Sequence, residues 1–467
     1  VNYTIQQVLI PTDHHYQVVD VQIEVDRIVA IAPTLEAVGN RVDGRNKLLL
    51  PGFVNAHTHS SEMWYRGIIP PYPLELWLAA LYDFPTLSPE QIYLSALGTA
   101  TETLLSGGTT VVDHLVLIPG QELETIAAAS RAYQEIGIRA FIGPLLQDES
   151  HAASVPAGGT AIAVDPYMRS TSETLDILKE AIDQFHQPDA GISLMVAPTG
   201  TQLCTDQLLE GCIELSDYHH LCRHAHLLET KAQKLLAQEK YGCSAVEHLQ
   251  HIGFLNERTS LAHCVWLSDS DIEILAQTGS TVVHNPLSNL RLGSGIAPLL
   301  KYRQAGVNVT FGCDGSASND SQDLLEAIKI GSMLHNVTDF DYRQWITPRQ
   351  AAQMASWGGA NGLGLKDNLG SLTVGQKADL VLYDLTNLSL LPRTDPIGLL
   401  ILGRPSQAVD SVWVNGKCVV ADGQVTTISV ANLRQQLFGH SQWNIEPPSQ
   451  AVAAIEAHYR QVMGLVE

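Results

Sequence analysis

Positive charge is scarce in this chain: 27 Lys and Arg stand against 49 Asp and Glu, a formal net charge of −22 over 467 residues. No block of Lys and Arg offsets the imbalance, which argues against nucleic-acid or anionic-membrane partners and points to small molecules. Long apolar runs are missing too. No stretch approaches the roughly 20 consecutive apolar residues that span a bilayer, and Val1-Asn2-Tyr3-Thr4-Ile5 has no basic region ahead of an apolar signal core. A cytoplasmic location is the default expectation. The seven cysteines, at 204, 212, 222, 243, 264, 313 and 418, include no C-x-x-C pair, so reduced and mostly buried thiols are expected. Absence of a P-C-x-x-C element argues against a Cys-ligated zinc deaminase. Any metal is expected on nitrogen and oxygen.

A hydrophobic content of 45% is that of an ordinary globular protein with room for one large domain and a smaller one. From about Thr109 to Asp314, short apolar segments alternate with amphipathic ones, the pattern of repeated βα units. Strands are predicted at Leu48 to Ala56, Thr109 to Asp113, Arg139 to Pro144, Ile192 to Ala197, His220 to His226, Thr259 to His263, Thr281 to His284 and Val307 to Asp314. Helices are predicted between them, among others at Pro89 to Leu105, Glu122 to Ile136 and Ser172 to Phe185. Eight such units imply an α/β fold, a (β/α)8 TIM-type barrel over residues 51–369. Residues 1–50 alternate without a helix, as in Val18-Val19-Asp20-Val21-Gln22-Ile23-Glu24-Val25, and the same texture returns over 370–430. These ends are expected to build one small composite β-sandwich into which the barrel is inserted, with a helical tail over 431–467. Residues 147–171, long for a βα connection, are a candidate lid, and 60–86, rich in Trp, Tyr and Pro, a candidate roof.

His57-Thr58-His59 follows the first apolar run, and imidazoles two apart on a strand point the same way, so they can share a metal ion. Alone, such a pair is as often an ordinary polar edge. Further strands, however, end in His226 with Glu229 three residues on, in His263, in His284-Asn285 and in Asp314, and reactive groups of this barrel class collect at such C-terminal strand ends. His224 shares a strand face with His226 and is its rival; it reads as a lower-barrel or supporting residue, because only His226 has Glu229 at a matching distance. At a generic site Glu229 would be a carboxylate set against a helix dipole and a lone strand-end His buried with a hydrogen bond, but placement after a candidate ligand strand favours function for both.

The ordered set Pro51-Gly52-Phe53-Val54-Asn55-Ala56-His57-Thr58-His59, His226-Leu227-Leu228-Glu229-Thr230, Ala262-His263-Cys264, His284-Asn285-Pro286-Leu287-Ser288-Asn289, Gly312-Cys313-Asp314-Gly315 and Gly370 to Leu380 resembles the amidohydrolase superfamily. It is most similar to the branch holding adenosylhomocysteine-type, guanine and triazine deaminases and the triazine hydrolases. The resemblance implies that His57, His59, His226 and Asp314 hold one divalent ion, a donor set that suits Zn²⁺ or Fe²⁺. It further implies that Glu229 relays protons, that His263 polarises the attacking water or the tetrahedral centre, and that Asp314 orients hydroxide. Glu62, Trp64, Tyr65, Trp77, His284 and Asn285 are the expected substrate contacts, the last two mainly in support.

The two-metal members of the superfamily carry a bridging Lys at the end of the fourth strand, and Ile192-Ser193-Leu194-Met195-Val196-Ala197 has none. The expectation is therefore hydrolytic deamination of an N-heterocycle at a one-metal site. Ala197-Pro198-Thr199-Gly200-Thr201 departs from the Gly-Pro-His-Ser-Pro-like element of the adenosylhomocysteine-type enzymes. A bare purine, pterin or triazine is thus the first expectation, and a 5′-modified adenosine the alternative. Loss of halide or thioether, or hydrolysis of a cyclic amide, would use the same site. A non-catalytic scaffold is disfavoured because every ligand position is filled. A homodimer or higher homo-oligomer is expected by the same resemblance.

Overall fold

The computed structural model describes residues 1–13, 15–155, 168–441, 446 and 450–465. Parallel strands run in two arcs among the described residues, eight in all when Ile192–Leu194 and Ala197–Pro198 are taken as one interrupted strand. One contains Phe53–Thr58, Gly108–Leu115, Arg139–Leu146 and the short pieces Ile192–Leu194 and Ala197–Pro198; the other contains Arg223–Leu227, Thr259–His263, Thr281–His284 and Asn308–Phe311. Between the arcs, Val196 bridges Arg223 in parallel and His224 N donates to Val196 O at 2.9 Å. On the far side Asp314 N donates to His57 O at 2.9 Å, and Cys313 N to Asn55 Oδ1 at 2.9 Å.

Helices separate the strands as the 3.6-residue spacing predicts, among them Pro89–Leu105, Glu122–Ile136, Thr171–Phe185, Asp206–His219 and Asp269–Thr278. Their starts are chemically marked. Ser88, Ser170 and Ser268 each accept from the backbone three residues on, while the Gln91, Glu173 and Asp271 side chains return the bond. The expected strand from Leu48 to Ala56 is two strands. Lys47–Pro51 pairs antiparallel with Leu380–Asp384, and Phe53–Thr58 begins the parallel arc. Gly52 is the break, since a Cβ there would lie 2.1 Å from Thr109 Oγ1. The expected strand from His220 begins three residues later, because His220 caps the preceding helix in a left-handed conformation with φ 57°.

The two chain ends, expected as a sandwich, are hydrogen-bonded into one nine-stranded sheet. Lys47–Pro51 and Leu380–Asp384 form the seam between N-terminal and C-terminal strands. Alternation explains its burial. Leu49, Leu380, Leu382 and Trp413 pack on one face with Ile5, Val8 and Val21, whereas Leu48, Leu50, Val381 and Tyr383 face the main core. A buried ion pair, Arg139 Nη2 to Asp379 Oδ1 at 3.0 Å, ties the sheet to the third parallel strand. Val430–His440 and Gln450–Val462 are helices, and the second packs Val452, Ile455 and Tyr459 against the cluster that holds Leu74, Leu76 and Trp77. No helix among the described residues is long and apolar enough to cross a membrane.

Candidate metal and active site

Histidines from four parallel strands converge at their C-terminal ends. His59 Nε2 stands 3.2 Å from His226 Nε2 and 3.5 Å from Asp314 Oδ1, and His57 Nε2 stands 3.3 Å from the same carboxylate oxygen. One tautomer satisfies all three rings. His59 Nδ1 donates to His114 O at 2.6 Å and His226 Nδ1 to Thr199 O at 2.7 Å; His57 Nδ1 donates to His224 Nε2 at 2.8 Å, and His224 Nδ1 to Ser260 Oγ at 2.7 Å. Each Nε2 lone pair therefore faces the cluster. His57 Nε2 is buried without a hydrogen-bond partner, the condition of a nitrogen awaiting a Lewis acid. His57, His59 and Asp314 form one group able to hold a metal ion, and with His226 Nε2 3.2 Å from His59 Nε2 the nitrogen and oxygen donors fit a divalent ion of the zinc type.

Electrostatics favour the protonation states that a metal requires. Burial holds His57 down at about 4 and His226 well below the usual imidazole range, so both rings are neutral. Burial alone would raise Asp314, but the His57, His263 and His59 rings hold it well below the usual carboxylate range. Glu229 behaves oppositely: burial, helped by the charges of Asp314 and Glu75, pushes its carboxyl up to about 7 against the pull of His263 and the Ser294 hydrogen bond. His263 Nδ1 donates to Asn289 Oδ1 at 2.9 Å, which leaves Nε2 between Glu229 Oε2 at 3.5 Å and Asp314 Oδ2 at 3.7 Å.

The backbone is strained where these groups sit. Leu228, His263, Cys264 and Asp314 have φ of 46°, 74°, 52° and 64°, conformations that L residues seldom adopt. The strands must turn sharply there, and Gln233 Oε1 holds one turn by accepting from Glu229 N at 2.7 Å.

A cavity of about 560 Å³ opens over the cluster, lined by His59, His226, Glu229, His263 and Asp314 together with Glu62 and Trp77. The 60–86 segment roofs it, through Leu74, Trp77, Leu78 and Leu81 of helix Leu74–Tyr82. Glu62 is buried, and its carboxyl is raised well above the usual range by burial and then by Asp314. It fits only because residue 315 is glycine, where a Cβ would lie 1.8 Å from Glu62 Oε2.

Four expected substrate contacts do not line this cavity among the described residues. Trp64 packs into the core, donating to Gln91 O at 2.8 Å, and Tyr65 stacks on Phe84 at 4.8 Å in an adjoining pocket. His284 turns to His335, with the two Nε2 atoms 3.2 Å apart, and the Asn285 amide is buried beside Gly312 without a hydrogen-bond partner among the described residues. A tryptophan or histidine near a strand end does not show which way its ring turns. His224 sits behind His57, as its strand register suggests. The central part of the expected 147–171 lid, residues 156–167, lies outside the described residues.

Sequence reasoning missed His114. Its ring lies against His226 with centroids 4.8 Å apart, and with His57 and His226 it forms a second possible metal triad. The polar pair Asp113-His114 closing a strand was the available signal. Gln202 and Ser294, in turn and loop segments that carry no periodicity, were missed as well, as was Gln233 at the start of helix Lys231–Tyr241.

The chain belongs to the amidohydrolase family, whose model matches residues 48–419. It is an enzyme of that class. It is 33% identical over 402 residues to the 5′-deoxyadenosine deaminase of Methanosarcina barkeri, covering 85% of this chain and 86% of the relative. It is 31% identical over 425 residues to a 5-methylthioadenosine/S-adenosylhomocysteine deaminase of Pyrococcus abyssi, covering 90% and 94%. Among solved structures, the zinc complex of atrazine chlorohydrolase from Arthrobacter aurescens TC1 superposes with a TM-score of 0.86 at 26% identity, covering 94% of this chain and 99% of that one.

Proposed function

We propose that this chain is a metal-dependent hydrolytic deaminase of an adenine-bearing substrate modified at the 5′ position, acting on the exocyclic amino group. The bare purine, pterin or triazine favoured by the 197–201 segment gives way because the relatives named above act on 5′-modified adenosines. The eight parallel strands are read as a closed barrel, joined by the Val196 to Arg223 bridge and the Asp314 to His57 bond. In this reading residues 51–369 form the barrel domain, 1–50 with 370–430 the composite β domain and 431–467 a helical tail.

His57, His59, His226 and Asp314 would hold one divalent ion, zinc by analogy with the similar chlorohydrolase. Such an ion, when bound, supplies the Lewis acidity that makes water nucleophilic near neutral pH. The protein's own groups do the rest. Glu229 takes a proton from the attacking water as the C–O bond forms at the ring carbon, then delivers it to the amino nitrogen as the C–N bond breaks and ammonia leaves. A carboxyl near 7 is matched to both transfers. His263, held by Asn289, faces the centre where charge develops, and Asp314 orients the attacking group by accepting a hydrogen bond from it, the proton itself going to Glu229. Glu62, whose carboxyl burial raises well above the usual range, is placed to hydrogen-bond the heterocycle, and Trp77 covers its face.

The observation that carries this reading is the placing of Glu229, His59, His226 and Asp314 on one cavity, with His57 3.3 Å behind Asp314 and His263 between the carboxylates. The test is ammonia release from 5′-deoxyadenosine, methylthioadenosine, guanine and aminotriazines by metal-replete enzyme beside Glu229→Gln. Release that the variant loses supports deamination. Silence toward all of these, with chloride released from a chlorotriazine, would move the assignment to the chemistry named for the similar solved structure.

A further inference from the structure

A second cavity of about 470 Å³ shares the walls Tyr82, Val116 and Leu145 with the metal cavity and extends toward helix Thr171–Phe185. Its walls are largely apolar, with Leu117, Pro119 and Ile177 beside the shared residues. Three polar side chains matter. Gln147 is 3% exposed, and both its amide oxygen and its amide nitrogen are buried without a hydrogen-bond partner. A primary amide offers two donors and an acceptor, and burying all of them unmatched is costly unless something that enters the cavity completes them. The other two side chains are Arg169 and Glu122, and they are spent on each other: Arg169 Nη2 and Nε lie 2.7 and 3.2 Å from Glu122 Oε1. Among the described lining residues, the only cation is thus neutralised in place.

We infer that this lobe is the subsite for the substrate's 5′ arm, and that it selects an uncharged arm with an apolar stem and a hydrogen-bonding end read by Gln147. The inference rests on the deaminase reading above and names its substrate class. A zwitterionic arm, such as the homocysteine portion of S-adenosylhomocysteine, would bring a carboxylate to a lobe whose guanidinium already has its carboxylate. Its ammonium would have to compete with Arg169 for Glu122, the one carboxylate among the described lining residues. Seating both charges would mean breaking the Arg169 to Glu122 pair, re-forming each half on the newcomer and desolvating two more charges. A neutral amide or hydroxyl meets Gln147 with no such exchange.

The test compares three substrates differing only in the arm: 5′-deoxyadenosine, 5′-(N-ethylcarboxamido)adenosine and S-adenosylhomocysteine. Steady-state kcat and KM are measured for the native enzyme, Gln147→Met and Glu122→Gln, with thermal melts to certify folding. Binding is read separately from quenching of tryptophan fluorescence, Trp77 being in the cavity wall. The expected result is a kcat/KM at least about 10-fold higher for the carboxamide than for S-adenosylhomocysteine, expressed mainly in KM. Gln147→Met should raise the carboxamide-to-deoxyadenosine KM ratio about 10-fold. Glu122→Gln, which frees Arg169, should shift the preference toward S-adenosylhomocysteine by a similar factor and serves even if Gln147→Met does not fold. Turnover of all three with ratios unmoved by both variants overturns the subsite while leaving the deaminase standing. Tight carboxamide binding that weakens in Gln147→Met, without ammonia release from any of the three, upholds the subsite and removes the deaminase reading.

Discussion

Glu229→Gln separates two consequences of one buried carboxyl. The side chain is buried, and its pKa stands at about 7 against an ordinary 4.5, chiefly because burial disfavours its charge. At 1.36 kcal/mol per pH unit this difference is on the order of 3 kcal/mol. The sign follows from linkage. An acid whose pKa is raised by folding binds its proton more tightly in the native state, so its contribution is fully present below about 4.5 and is lost as pH rises toward about 7. Glutamine keeps the shape and cannot ionise. In the metal-free chain, the stability of Glu229→Gln relative to native should therefore increase between pH 4.5 and pH 7.5, by up to about 3 kcal/mol. Urea unfolding of both proteins across this range measures it, and a difference that stays flat with pH would refute the burial argument. In the metal-replete enzyme the same substitution should retain metal and lower turnover by roughly 10²–10⁴-fold, the usual contribution of a positioned acid–base group. Turnover within a few-fold of native would remove Glu229 from its proposed role.

His224→Ala deletes the partner that fixes the His57 tautomer and should weaken metal affinity by roughly 10–100-fold without removing a direct ligand; competition with a chelator measures it, and unchanged affinity would leave His224 a packing residue. His114→Gln distinguishes the two possible triads: metal content should persist in this variant and fall in Asp314→Asn, and the opposite pattern would assign the ion to His57, His114 and His226. Asp379→Ala strands the Arg139 guanidinium between the terminal sheet and the third parallel strand, and should cost about 3–5 kcal/mol in denaturant unfolding. A loss below about 1 kcal/mol would show that Arg139 finds other partners or water.

Much of this protein was legible along its sequence because its chemistry is punctuated at strand ends. His57 with His59, His226 with Glu229, His263 and Asp314 each close a short apolar run, and the period-2 pattern of a strand already says which neighbours share a direction. Helix positions followed from apolar spacing for the same local reason, and the Ser caps of the structure mark where those helices start. Tertiary structure decided what depends on distance in space. It broke the first predicted strand at Gly52, where only a residue without Cβ can pass Thr109. It turned Trp64 and His284 away from the cavity that Trp77 and Glu62 enter, since side-chain direction beyond a strand is set by packing and not by order. It brought His114 among the imidazoles of the candidate metal site and joined both chain ends into one sheet. Above all, it set Glu229 and Asp314 in one buried pocket yet pushed their acidities apart, because desolvation dominates at Glu229 while three imidazoles surround Asp314. The sequence names the ionisable groups, but their protonation depends on the dielectric and charges that only folding assembles.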